Sequence, residues 1–149
     1  MAWLVASAGC ALVAADPSIE RPQLPDRFIA PWVTQPLAVC LGTTCGDAVA
    51  QRVQSAGVLW DQGRFRVVAA VDGQLHQGEL FPGWQLQLEA DPALSPTQGW
   101  QASGLAHPEW VRLGAELYVV YSLLDGSAIA AAQVHDAQWS DAADPLLTA

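Results

Sequence analysis

The chain has 149 residues, 52% hydrophobic and 14% charged, and a formal net charge of −9. This is enough apolar material for one domain's core, and it excludes a disordered, charge-rich tail. Six arginines and no lysine stand against fifteen acids, which excludes nucleic acid and electrostatic docking on anionic lipid while leaving neutral partners such as sugars open.

Residues 1–15 read MAWLVASAGCALVAA, without a charge before Asp16. The run is too short to span a bilayer and matches the apolar core and small-residue end of a secretory signal. Two cleavage readings compete. Ser7-Ala8-Gly9-Cys10 looks like a bacterial lipobox that makes Cys10 the lipidated residue, although Ser7 stands where Leu is usual. Val13-Ala14-Ala15 offers an ordinary small-x-small site. A buried N-terminal strand is the structural alternative. The expectation is an extracytoplasmic protein, secreted or lipid-anchored at the cell envelope, that meets the membrane only through such an anchor.

Pro17, Pro22, Pro25, Pro31 and Pro36 punctuate residues 16–36, which read as a linker or as a strap across a sheet. Residues 37–41 and 48–53 follow as two expected strands around Cys40 and Cys45. Two turns of helix are the alternative for the second, because Ala and Gln favour helix. Four residues including Gly42 separate the cysteines, a spacing that suits a disulfide across a hairpin in an oxidising compartment. Two unpaired core thiols are the competing reading. A zinc site is not expected, since no second Cys or His pair stands at ligand spacing.

From residue 57 a repeat of about fifty residues emerges. Its first copy, 57–94, carries Val58-Leu59-Trp60, Phe65–Val71, Asp72-Gly73, Trp84 and Asp91-Pro92. The second, 107–147, carries Trp110-Val111-Arg112, Leu117–Leu123, Asp125-Gly126, Trp139 and Asp144-Pro145. Leu117–Leu123 is apolar on both alternations, as a strand covered on both faces is. Asp-Gly supplies the positive φ of a hairpin turn. Gln85–Glu89 alternates polar and apolar, which fits an exposed outer strand. Trp84 and Trp139 recur at matching positions and read as packing between sheets. The fold class is all-β.

His107-Pro108-Glu109-Trp110-Val111, the paired Tyr118 and Tyr121, Ile129-Ala130-Ala131-Ala132, and Trp139 resemble a blade of the five-bladed β-propeller glycosidase clan of arabinanases, β-xylosidases and levansucrase-like enzymes. Residues 57–94 resemble it more loosely. The resemblance implies propeller-like four-stranded antiparallel blades over residues 37–149. Two blades are clear and 37–53 reads as a damaged third, so the propeller is incomplete. A β-sandwich is the alternative, and strand order separates the two: blades pair sequential strands, whereas sandwiches use longer crossovers.

Enzymes of that clan hydrolyse glycosidic bonds with paired carboxylates. The resemblance places such acids near 57–60 and 107–112 and makes Glu109 the candidate catalytic residue, with His107 beside it. A solvated acid at a strand start is the competing reading. Trp32, Trp100 and Trp110 fall outside the repeat pattern and are candidates for stacking on sugar, against a packing role. Asp16, Asp91 and Asp144, each in Ala-Asp-Pro, read as turns. No Gly-x-Ser-x-Gly elbow and no phosphate-cradling loop is present, and no cofactor is expected. The expected function is carbohydrate binding or glycoside hydrolysis, with a complete or an incomplete catalytic set. The alternative is a non-enzymatic surface lipoprotein that recruits a protein partner or a second copy.

Overall fold

A computed structural model describes residues 37–135 and 138–148. Cys10, Asp16, Trp32, the signal-like run and the proline-rich segment lie outside the described residues.

The first sheet begins with a hairpin, β1 (Ala38–Leu41) and β2 (Thr44–Cys45), in which Cys40 and Cys45 are cross-strand neighbours joined by a disulfide. The helix α1 (Asp47–Ala50) follows, then a four-stranded meander: β3 (Val53–Asp61), β4 (Arg64–Val71), β5 (Gln74–Phe81) and β6 (Gln85–Leu88). Each consecutive pair in it is antiparallel, and β1 joins the far edge in parallel with β6. A linker with a short 3-10 helix at Gly99–Gln101 leads to a second meander. That comprises β7 (Leu105–Leu113), β8 (Glu116–Leu123), β9 (Ala128–His135) and β10 (Gln138–Asp141), with β11 (Leu147–Thr148) pairing against β9.

Sequential pairing follows from the turns. Asp72 and Gly73 both hold positive φ, 51° and 76°, the combination a two-residue hairpin loop needs to match the twist of its strands. A longer Asp125-Gly126 loop joins β8 to β9, and Gly126 takes φ 73°. The structure is all-β in its sheets, and among the described residues neither sheet closes on itself.

Each sheet has a front and a rear face, set by the alternation of side chains along its strands. The rear of the first sheet packs on the front of the second, and one core fills the space between. Val68, Ala70 and Leu75 meet Leu105, Val119, Tyr121, Leu123, Ala130 and Ala132 there, with Trp100, Trp110 and Trp139 at its margin. Leu75 and Leu105 are fully buried, each worth roughly 1.5–3 kcal/mol of transfer free energy. A second cluster lies on the front of the first sheet, where Val49 of α1 covers Val67, Ala69, Val71, Leu86 and Leu88.

Several expectations need correcting. Residues 48–52 are not a strand: Asp47–Ala50 is helical, the alternative reading but shorter, because the chain crosses from the outer edge of the sheet to its inner edge there and Val49 is buried in doing so, and β3 starts at Val53. Residues 37–53 form no third meander, since β1 is captured by the first sheet. That capture also covers Gln85–Leu88, so β6 is not an exposed outer strand. Trp84 does not pack between sheets; it is 55% exposed in the turn before β6. Leu117–Leu123 is buried on its front face, whereas Tyr118, Val120 and Ser122 on the rear stay half-exposed.

Candidate functional site

The sheets come closest along their lead strands, β3 and β7. A Cβ on Gly57 would stand 2.5 Å from the carbonyl oxygen of Pro108 and 3.2 Å from a carboxylate oxygen of Glu109. Only glycine permits that approach. His107 sits in the irregularity between Ala106 and Glu109, with φ 47°, and its backbone N–H donates to Ser55 Oγ at 2.9 Å. This bulge re-aims the strand at the point where Glu109 leaves it. The fold thus brings Glu109 and His107, both exposed, to the line where the two meanders meet.

Above that line the interface turns polar. Asp61, nearly buried, accepts from Arg112 Nη2 at 2.7 Å and faces Arg66 at 3.5 Å. The Arg66 guanidinium lies 5.0 Å from the centre of the Trp110 ring, a cation–π arrangement. Trp110 in turn packs at 5.9 Å against Trp139, whose indole N–H donates to Gln77 Oε1 at 3.2 Å. Gln77 Nε2 donates to both carboxylate oxygens of Glu89. Around these groups runs a shallow cleft of about 230 Å³ lined by Arg64, Arg66, Gln77, Glu79, Glu89 and Trp110. That is below the roughly 300–1,000 Å³ of pockets for drug-sized ligands. The indole N–H of Trp110 is itself buried, without a hydrogen-bond partner among the described residues.

The remaining sequence candidates lie elsewhere. Trp100 packs at the edge of the inter-sheet core and donates from Nε1 to the Ala143 carbonyl at 3.1 Å. Its neighbour Gln101 is fully buried. Gln101 Oε1 accepts the backbone N–H of both Thr97 and Gln98 at 2.9 Å, while Nε2 donates to Tyr121 Oη and to Asp141. Tyr121 also donates to Asp141, at 2.6 Å. Burial first, then this carboxylate acceptor, hold the phenol well above its ordinary pKa. Such a closed network ties the linker to the second sheet; every member is already engaged.

Sequence reasoning missed the Asp61–Arg66–Arg112 cluster and the Gln101–Tyr121–Asp141 network. Arg112 is 51 positions from Asp61, and Gln101 is 20 from Tyr121 and 40 from Asp141, so only strand register and sheet packing bring them together. His76 is buried, its Nδ1 3.0 Å from the Glu89 carbonyl oxygen, while His107 and His135 lie on different strands of the second sheet. Among the described residues no cluster of His, Cys, Asp and Glu is arranged to hold a metal ion, and no helix is long and apolar enough to cross a membrane.

No protein-family model, no curated protein and no solved structure matches this chain.

Proposed function

We propose that the two meanders are blades of a propeller-like carbohydrate-binding or glycoside-hydrolase-like protein, exported and either secreted or lipid-anchored. The observation that carries this reading is the succession of two four-stranded antiparallel meanders, packed face to face with their lead strands converging at Gly57 and Pro108. Sequential pairing within each meander is what blades require, and it supports this reading over a sandwich. Glu109 and His107, exposed on the line where the meanders converge, support the reading because they stand on a lead strand, where the resemblance expects such acids. The neighbouring cleft supplies carboxylates, guanidinium groups and the flank of the Trp110 ring, a lining suited to neutral hydroxyls. The Cys40–Cys45 disulfide supports an oxidising compartment.

In this reading Glu109 is the catalytic or ligand-holding carboxylate, and His107 and Trp110 contact the sugar. Calorimetric titration with neutral oligosaccharides of arabinose, xylose and fructose tests it. Binding is expected, weakened by Trp110→Ala, which removes the ring that lines the cleft. Glu109→Gln abolishes hydrolysis in the catalytic version. A chain that binds none of these sugars sinks the reading.

A second reading, a non-enzymatic surface protein that recruits partners, is favoured by the exposed apolar residues Trp60, Phe65, Leu113 and Leu147. Incorporation of labelled fatty acid that is lost in Cys10→Ser tests the lipoprotein part of both readings.

A further inference from the structure

The contact between the two sheets is a template for the two faces left outside it. Asp61 and Leu113 are each the last residue of a lead strand, Trp60 and Arg112 the penultimate ones, and Val58 and Trp110 stand two positions earlier still. Arg66 and Tyr118 are each the third residue of the strand that follows. Inside the chain, Asp61 and Arg66 on the rear of the first sheet meet Arg112 and Trp110 on the front of the second. On the outer faces the same positions hold Leu113 and Tyr118 at the rear, and Trp60 and Val58 at the front. Where the inner pairing is ionic, the outer faces are apolar. Leu113 is 62% exposed, Trp60 60% and Val58 53%, and Trp60 stacks on the exposed Phe65 at 4.6 Å.

The crossings match as well. The 3-10 helix precedes β7 and lies against the front of the second sheet through Gln101, while α1 precedes β3 and lies against the front of the first. The open front of the first sheet is therefore prepared like the front already covered inside the molecule.

Resting on the blade reading above, we infer that the rear of the second sheet takes the front of the first sheet of a second copy, head to tail. Leu113 of one copy then packs on Trp60 of the next, and Tyr118 on Val58. Mispairing is disfavoured, because an outer face set against an inner one leaves Asp61 or Arg112 buried against apolar groups. The contact is heterologous, so it repeats until it closes. Propellers close with roughly four to eight blades, which corresponds to about two to four copies of this chain. Glu109 stands at the position where the first sheet has Gly57, so copies sit further apart along the lead strand than the sheets do within a chain.

Sedimentation of the full chain over a concentration series tests this. The wild type is expected as a reversible oligomer. Leu113→Asp and Trp60→Arg, both at exposed positions, each weaken association by about tenfold or more, or about 1.4 kcal/mol. Together they restore it, by rebuilding across copies the Asp–Arg pair used inside the chain. Glu109→Gly tightens it. A wild type that stays monomeric, single variants without effect, or a double variant as dissociated as the singles overturns the inference. Sugar titrations on the same samples separate the two proposals, since a monomer that binds sugar removes only the association.

Discussion

The two meanders share strand order, pairing and an entering helical turn, yet they are held by different chemistry. The first is fastened at its outer edge by a captured strand and a disulfide, with α1 laid over its front. Among the described residues the second has no disulfide, and its added strand β11 pairs with β9 over two residues. Its entering turn is tied down by Gln101, Tyr121 and Asp141, a buried polar network. Position explains the contrast. The front of the first sheet is an outer face, where apolar cover and a covalent tie suffice. The front of the second lies inside the molecule, where the linker's backbone N–H groups are removed from water and need partners.

The sharpest break in this comparison is at the shared seam. Gly57→Val forces a side chain into the Pro108 carbonyl and is expected to destabilise the whole chain by about 3 kcal/mol, the upper range for overpacking. A single, lowered thermal transition checks it; two transitions would show that the meanders fold independently.

Gln101→Ala strips partners from Thr97, Gln98, Tyr121 and Asp141 and is expected to cost roughly 2–3 kcal/mol. Denaturant unfolding measures the loss, and hydrogen exchange should place it in residues 97–104 and β8, with the first meander unchanged.

Replacing Cys40 and Cys45 by Ala acts on the first meander alone. The cysteines are only five residues apart in sequence, so loop-closure entropy predicts a loss of about 2 kcal/mol. The same denaturant series checks it, and a cost as large as that at the seam would make the edge more than a clasp.

The smallest effect at neutral pH is the alkaline one. The Tyr121 pKa is raised in the folded chain, so its stabilising contribution is complete below the ordinary tyrosine value of 10.0 and fades as pH rises above it. Thermal melts should fall with pH in that alkaline window, and Tyr121→Phe should remove that part of the slope, being less stable than wild type at neutral pH by a margin that narrows as pH rises.

Much of this architecture was legible from residues. The Asp72-Gly73 and Asp125-Gly126 turns and the Cys40–Cys45 spacing each pointed to the hairpins that form, and Leu117–Leu123 read as a strand, though one covered on both faces rather than on one. Less legible were the places where local and tertiary preference part. Residues 47–50 have no strand partner to take and cross the sheet as a helix, and Trp84 shares its repeat position with Trp139 but meets solvent instead of a second sheet. Of the candidate site, Glu109 and His107 were visible as a pair on one strand. Their neighbours Gly57, Ser55 and Arg66 come from the other sheet.

Local chemistry, then, decided what each segment became, because turn geometry and side-chain alternation act over a few residues and can be read in order. Tertiary structure decided which segments met: the parallel capture of β1 by β6, the closeness of Gly57 to Pro108, the ion pairs of Asp61 and the burial of Gln101. Those depend on strand register and sheet stacking, where residues far apart in sequence compete for one partner and the winner is set by packing over the whole molecule.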